Sequence, residues 1–145
     1  MPVAGAAARL TRSDVACWLI KTARAPAELV PGWAPGTDRA LVRCLRPSYR
    51  LGLMAPGQPC LLWLSGRAEP GVHAVGTLAA RPDGPEVEVR LRRLAEPVPR
   101  DELLASAFRT AEVIRMPAGS NPSWLDHPQW TAVRDHLDPT AGGRL

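Results

Sequence analysis

The sequence predicts an α+β domain in which a small β-barrel carries short flanking helices. Two apolar runs, residues 59–66 and 72–78, are typical of strands, and the polar segment 67–71 between them contains Pro70 and Gly71. They predict an antiparallel hairpin at the centre of the fold. The first run has apolar residues on both faces, as expected for a strand buried on both sides of a barrel wall.

The residues before the hairpin predict the outer elements. Residues 15–22 form an apolar run that turns polar at its end, and strand alternation places Trp18 and Thr22 on one face and Lys21 on the other. The further elements expected here are one helical turn at 25–30, a loop carrying Trp33, a strand at 40–45 and a turn or short helix at 51–54.

After the hairpin, residues 86–92 alternate strictly, with Val87, Val89 and Leu91 predicted to point inward. Prolines within 97–99 are expected to end the sheet. The remaining expected elements are a helix from Asp101 to Ala107, a brief strand at 113–116, a turn-rich loop at 117–122 and a closing helix that carries Trp130, Val133 and Leu137 on its apolar face. Asp126 and Gln129 have the spacing of a capping box for that helix.

Length and composition predict one domain. The 145 residues divide into a disordered tail at 1–13, a folded domain at 14–138 and a loose tail at 139–145. No apolar run approaches the roughly 20 residues of a membrane helix, and the N-terminal segment has the wrong order for a secretory signal. We therefore expect a soluble cytoplasmic protein that acts as a monomer and binds no membrane.

Cysteine and charge content add weak constraints. Cys17, Cys44 and Cys60 are odd in number and lie in apolar runs, which predicts free, buried thiols. The net charge of +4 is compatible with a polyanionic partner and equally with an ordinary surface. Among the 18 basic residues Lys21 is the single lysine, which hints that arginine cannot serve at that position.

Four short motifs in order resemble the EVE family of PUA-like domains. They are WLIK at 18–21, LWLSG at 62–66 followed by GVHAVG at 71–76, PV at 97–98 before a short helix, and GSNP at 119–122 before the last helix. The resemblance covers about residues 15–138 and would make this chain a short stand-alone bacterial member. It implies a mixed β-barrel of about five to six strands and a pocket that receives one flipped, often modified, nucleobase.

Combined with the residue chemistry, the resemblance suggests a set of site residues. Aromatic faces can stack on a base, and small polar side chains can bond its edge. The candidate pocket residues are Trp18, Lys21, Thr22, Trp33, Trp63, Ser65, Gly66, Ser120 and Asn121. The candidate phosphate contacts are Arg43, Arg46 and Arg50. Each tryptophan is more often part of a core than of a binding cage, Asn121 is equally compatible with a turn before Pro122, and arginines in a solvated segment need no ligand.

The function predicted from these residues is non-enzymatic recognition of a modified base in DNA or RNA. His73, His127 and His136 lack zinc-ligand spacing, no catalytic triad is visible, and we expect no metal and no cofactor. One alternative is an amidohydrolase of the ASCH type that uses Lys21 on a modified nucleoside, although no Glu is clearly placed to assist it. A structural or protein-interaction module is the other alternative.

Overall fold

A computed structural model describes residues 9–137, which form one six-stranded mixed sheet with short helices. The strands are β1 (Cys17–Thr22), β2 (Asp38–Cys44), β3 (Pro59–Leu64), β4 (Gly71–Leu78), β5 (Glu86–Pro99) and β6 (Ser123–Leu125). Their order in the sheet is β2-β5-β4-β3-β1-β6. In this described part of the chain β1 and β3 pair in parallel, and the other four pairs are antiparallel. The predicted α+β class, strand number and central hairpin are confirmed.

The helices are short, apart from the last. They are α1 (Pro26–Leu29), α2 (Arg100–Leu103), α3 (Glu112–Arg115) and α4 (His127–Leu137), with 3-10 turns at Arg12–Asp14, Tyr49–Leu53 and Ala107–Thr110. The capping box predicted for α4 is present, because the N–H of Gln129 donates to Asp126 Oδ1 and the N–H of Asp126 donates to Gln129 Oε1, each at 2.9 Å. No helix among residues 9–137 is long and apolar enough to cross a membrane.

The sheet is open, so the barrel in the predicted fold class is not confirmed. β2 and β6 form its two edges, and β6 is only three residues long. A barrel requires a continuous ladder between the edge strands. Here a backbone hydrogen bond of 2.9 Å, from Arg46 N–H to the Asn121 carbonyl, joins the segments that flank the two edges. The sheet therefore curls until its edges approach but does not close.

Both faces of the sheet are covered by apolar clusters. One cluster contains Leu19, Leu61 and Trp63 and is covered by residues of α2, α3 and α4, including Val133. The other contains Trp18, Ile20 and Leu62 of the sheet and is covered by loop and 3-10 residues. Both clusters draw on β1 and β3, and β3 is buried on both faces, as the sequence predicts. These two strands are the common wall of the two cores.

The edge strand β2 explains one wrong prediction about the cysteines. Cys17 and Cys60 are buried as expected, but Cys44 is exposed. It lies at the end of β2, which pairs with β5 alone and exposes most of its residues. The apolar residues at 40–45 therefore led to too high an expected burial of Cys44. An edge strand has a neighbouring strand on one side only, and its other side is open to solvent.

The prolines at 97–99 do not end the sheet as expected. β5 continues to Pro99, and Val98 pairs with Val72 of β4. On the other side of β5, the pairing with β2 ends at Arg92 of β5, which lies opposite Asp38. Beyond that point β5 is an edge strand, so a missing proline N–H leaves no ladder bond unmade. The predicted helix after it is correspondingly shorter and ends at Leu103.

Two further predictions near the C-terminal end are wrong. Residues 113–116 were expected to form a strand, but Glu112–Arg115 is the helical turn α3, in which Val113 is buried in the core. Burial of that side chain outweighs the strand preference of a short β-branched run. The last strand is instead β6. It lies between the turn-rich loop at 117–122 and α4, where no strand was expected.

The predicted disordered tail extends too far at residues 9–13. Leu10 is buried, and its N–H donates to the hydroxyl of Tyr49 at 2.8 Å. The guanidinium of Arg9 lies 4.7 Å from the centroid of the Tyr49 ring, a cation–π contact. This segment is therefore packed on the domain. Residues 1–8 and 138–145, including the predicted C-terminal tail, lie outside the described residues.

We expect Gly76→Ala to be strongly destabilising. A Cβ at this position of β4 would lie 1.8 Å from the carbonyl oxygen of Arg90 in the neighbouring strand. Backbone in a sheet interior cannot move away cheaply, so the loss should reach about 3 kcal/mol in the free energy of unfolding. Urea denaturation of both proteins measures it. Gly52→Ala, where a Cβ meets nothing within 4 Å, is the matched control, and equal effects of the two substitutions would contradict the β4–β5 register.

Candidate functional site

Side chains from β1 and β3 meet because the two strands run parallel. Lys21 pairs with Trp63 and Thr22 pairs with Leu64, and the N–H of Ser65 donates to the carbonyl of Thr22 at 2.8 Å. Paired residues of neighbouring strands point to the same face of a sheet. Lys21 and Trp63 therefore lie side by side at the end of the sheet where both strands terminate.

A hollow of about 200 Å³ opens at these strand ends, and we call it the Trp63 hollow. Its lining residues are Trp63, Ser65, Gly66, Pro70, Arg100, Val113 and Pro117. One water occupies roughly 30 Å³ in the liquid, so the hollow has the volume of roughly seven waters. That space suits a single planar heterocycle and not a whole nucleotide.

Trp63 is fixed in the wall of this hollow. Its side chain is almost fully buried and stacks on Phe108 with ring centroids 5.4 Å apart and an interplanar angle of 17°. Phe108 therefore occupies one face of the indole, and a ligand can use only the remaining ring surface. Ser65 is half-buried at the rim, where the positive φ of Gly66 (116°) turns the chain away. Of the predicted pocket residues, Trp63, Ser65 and Gly66 line the hollow.

Arg100 is the site residue that sequence reasoning missed. It is half-buried in the lining, and no hydrogen bond or ion pair joins its guanidinium to another described residue. Its backbone N–H donates to the carbonyl of Pro70 at 2.9 Å, which fixes its place at the end of β5. The sequence could have indicated Arg100 only if β5 had been predicted to continue through Pro99. That longer strand brings Arg100 to the end of the sheet where Ser65 lies.

Lys21 stands beside the hollow and supports its wall. The amino group donates to the carbonyl of Pro117, a lining residue, at 3.1 Å. Burial lowers the pKa of Lys21, and the charges of Arg50 and Arg46 lower it as well, while Glu112 opposes them. The lysine is thus placed to hold the 117 segment against the strand end.

Asn121 is tied to the edge of β1. Its Oδ1 accepts from the backbone N–H of Lys21 at 3.0 Å, and its Nδ2 donates to the carbonyl of Lys21 at 3.3 Å. The antiparallel ladder of β6 on β1 reaches the pair Leu19–Ser123, and this side chain supplies the next pairing step. The amide is therefore engaged with the backbone, and the structure does not leave it free to read a base edge.

Three other predicted pocket residues lie away from the hollow. Trp18 and Trp33 are buried in the cluster on the other face of the sheet, where their Nε1 atoms donate to Gln58 Oε1 and the Thr37 carbonyl, each at 2.8 Å. Thr22 is buried, and its hydroxyl accepts from the N–H of Arg24 at 3.0 Å. Strand alternation separates Trp18 and Thr22 from Trp63. These residues serve packing and turn formation.

The remaining polar candidates have different surroundings. Ser120 is half-buried and is not among the residues that line the Trp63 hollow. Arg46 has an exposed side chain. Arg43 is half-buried, and its Nε is buried without a hydrogen-bond partner among the described residues. Burial lowers the pKa of Arg43, and the nearby charge of Arg24 lowers it further. Within residues 9–137, Arg43 and Arg46 thus keep uncommitted donors.

Arg50 is not a free phosphate contact, because it is committed to an internal ion pair. Its two terminal nitrogens donate to the two carboxylate oxygens of Glu112 at 2.9 and 2.7 Å, and Nη1 also donates to the Pro122 carbonyl at 2.9 Å. Each side chain of the pair is only 12% exposed. Ser123 Oγ donates to the same carboxylate at 2.8 Å. This network joins the 49–53 turn to α3 and β6.

Glu112 is the carboxylate that the sequence did not place near Lys21. Burial would raise its pKa, but the hydrogen bonds from Arg50 and Ser123 outweigh burial and hold the pKa below its usual value. Among residues 9–137 no three His, Cys, Asp or Glu side chains come together in a way that could hold a metal ion.

Comparison with solved structures finds the same fold in proteins of low sequence identity. A hypothetical protein from Leishmania major matches with a TM-score of 0.61 at 14% identity, over 88% of this chain and 98% of that one. A protein from Pseudomonas syringae matches with a TM-score of 0.59 at 15% identity, over 83% and 99%. No family model and no curated protein sequence matches this chain.

A third match has a bound nucleic acid. Human THYN1, solved in complex with DNA that contains 5-methylcytosine, matches with a TM-score of 0.52 at 12% identity, over 84% of this chain and 97% of that one. The shared architecture is a mixed α+β fold, the class expected from the sequence. At these identities the likeness concerns the fold alone.

We expect Glu112→Gln to destabilise the protein by about 3 kcal/mol at pH 7, since it leaves the nearly buried Arg50 without its counter-charge. The pKa of Glu112 is lower in the folded protein than in the unfolded chain, where it is about 4.3. The stabilisation is therefore complete above about pH 5 and is lost as the pH falls through the folded value. Denaturation series from pH 7 to pH 3 should show this acid loss in the wild type and a smaller loss in the variant.

The control for this prediction is the exposed pair of Arg92 with Asp38, which has a similar distance of 2.9 Å but side chains 48% and 41% exposed. Asp38→Asn should cost less than about 1 kcal/mol, because water screens an exposed pair. Equal losses in Glu112→Gln and Asp38→Asn would show that the internal network contributes no more than a surface pair.

Proposed function

We propose that this protein is a non-enzymatic member of the EVE family that captures one flipped, modified base of DNA or RNA in the Trp63 hollow. The observation that carries the proposal is the convergence of two strand ends on a hollow of about 200 Å³, with Trp63 and Arg100 in its wall and Lys21 beside it. The shared fold with THYN1, which was solved with DNA containing 5-methylcytosine, supports the same reading.

The lining suits a heterocycle that carries a small apolar substituent. Trp63, Val113, Pro70 and Pro117 supply apolar wall, while Ser65 offers a hydroxyl that can donate or accept. Extracting a base from a stack costs a few kcal/mol, which contacts in the hollow must recover. Burying one additional methyl group contributes about 0.8 kcal/mol, or roughly fourfold in affinity. A methylated base is therefore favoured over its unmodified form by a modest factor.

Arg100 gives the hollow a preference for acceptor-rich base edges. A guanidinium only donates hydrogen bonds, so it matches the O2 and N3 acceptors of cytosine better than the corresponding edge of thymine, whose N3 carries a hydrogen. Its charge also favours the phosphates of the same nucleotide. Arg43 and Arg46, with uncommitted donors, are the additional phosphate contacts in this proposal.

The arrangement around Lys21 supports binding over catalysis. Its amino group donates to the Pro117 carbonyl, and the nearby Glu112 carboxylate is held by Arg50. A lysine nucleophile needs a free amino group and a carboxylate able to move protons. The exposed large apolar side chains of the described residues are Val42, Tyr49 and Met116, which lie on three separate segments and give little support to a protein-docking face.

Binding to oligonucleotides tests the proposal. Single-stranded DNA with one 5-methylcytosine should bind about fourfold more tightly than the unmodified strand, from methyl burial alone, in fluorescence anisotropy at 50 mM salt. Arg100→Met should weaken binding to both strands, because it removes the charge and the donors but keeps the length of the side chain. The matched control is Arg109→Met, since Arg109 is exposed and does not line the hollow. Equal affinity for modified and unmodified strands, across cytosine, adenine and uracil derivatives, would overturn the proposal.

A separate measurement addresses catalysis. Incubation of the protein with N-acylated cytidine should leave the nucleoside intact, as followed by liquid chromatography. Hydrolysis that disappears in Lys21→Ala would replace the binding module with an amidohydrolase. Thermal unfolding of the Lys21→Ala variant checks that the variant is folded, since that lysine also supports the Pro117 segment.

A further inference from the structure

We infer that a second groove binds a nearby nucleotide of the strand whose base enters the Trp63 hollow, an inference that rests on the proposed function for its ligand. This groove encloses about 470 Å³ between the 9–14 segment and α3, and we call it the Tyr49 groove. Its wall combines Tyr49 and Trp124 with the arginines Arg9 and Arg115. Aromatic and arginine surfaces together are the usual contacts for unpaired bases and their phosphates.

Among the residues that the structure describes, two cations of the Tyr49 groove, Arg9 and Arg115, are not committed to an ion pair as Arg50 is. Arg115 is exposed, and among residues 9–137 its guanidinium bonds through Nε alone, to the Thr110 carbonyl at 2.9 Å, so its terminal nitrogens are available to a phosphate. Arg9 lies over the Tyr49 ring, with its Cζ 4.7 Å from the ring centroid, and both residues line the groove. A guanidinium plane held in this way is a stacking surface for a base.

The acidic side chains of the groove are already committed. Asp14 accepts from the backbone N–H and the hydroxyl of Thr11, each at 2.8 Å, and these bonds lower the pKa of its carboxyl. Glu112 is neutralised by its bidentate pair with Arg50. Asp14 is exposed and keeps its negative charge, so the three arginines and two carboxylates of the lining leave one net positive charge that can attract an anion.

The Tyr49 groove and the Trp63 hollow lie on opposite sides of α3. Val113 of α3 lines the hollow, whereas Arg115 of the same turn lines the groove, about 200° further around the helix axis. A helix with its side chains is about 10–12 Å across. A strand that places its flipped base in the hollow can therefore reach the groove within a few nucleotides.

The test uses strand length. A trinucleotide with a central 5-methylcytosine is compared by fluorescence anisotropy with versions extended by four nucleotides on the 5′ or the 3′ side. Extension on one side should raise affinity about fivefold or more, the low end of the stacking energy of one base. Arg115→Ala and Arg9→Ala should each reduce this gain and lower the salt slope by about one, while the affinity for the trinucleotide stays unchanged.

Matched variants make the outcome decisive. Arg109→Ala removes an exposed arginine outside both sites and should keep the full gain, and Arg115→Lys should restore part of it. Absence of a gain on either side, or a full gain in both Arg115→Ala and Arg9→Ala, overturns the inference. A gain that persists without any preference for the methylated base overturns the proposed function instead and supports the groove as a nucleic-acid contact.

Discussion

The parallel pairing of β1 with β3 is the constraint on which the rest of this structure depends. It joins residues some forty positions apart and places the C-terminal ends of both strands side by side. It also makes these two strands the shared wall of both apolar clusters. Because the side chains alternate, the same pairing assigns Trp18 to one core and Trp63 to the other. The position of the Trp63 hollow follows directly from this geometry.

A second constraint holds the segments that complete the hollow. Arg50 and Glu112 connect the 49–53 turn to α3, and the Ser123 hydroxyl adds β6 to the same network. Asn121 pairs with the backbone of Lys21, whose amino group holds Pro117. Short elements that have little stability of their own are thus fixed by polar contacts. The walls of the hollow and of the Tyr49 groove both depend on this one network.

This arrangement also explains why a small open sheet can present a preorganised site. A closed barrel would fix its rim through a continuous ladder. Here the two edges approach through the Arg46–Asn121 backbone bond, and side chains take over where backbone pairing stops. In the Tyr49 groove Glu112 is paired with Arg50 and Asp14 accepts hydrogen bonds from Thr11, so the three arginines and two carboxylates of the lining leave one net positive charge.

Local pattern alone predicted a substantial part of the fold. The inward positions Val87, Val89 and Leu91 and the Asp126–Gln129 capping box are confirmed because each depends on residues within a few positions of one another. The hairpin of β3 and β4 is confirmed for the same reason. Of the predicted site, Trp63, Ser65 and Gly66 line the hollow, since they belong to one strand end.

What the sequence by itself determined about this protein is therefore the local periodicity, the turns and caps, and the α+β class. Only the tertiary structure decided that β5 runs on through its prolines, that Arg50 pairs with Glu112, that Asn121 is used by the backbone of Lys21, and that Arg100 enters the hollow. The physical reason is range. Strand neighbours and ion-pair partners are chosen by packing between residues distant along the chain, and no short window of sequence contains both members of such a pair.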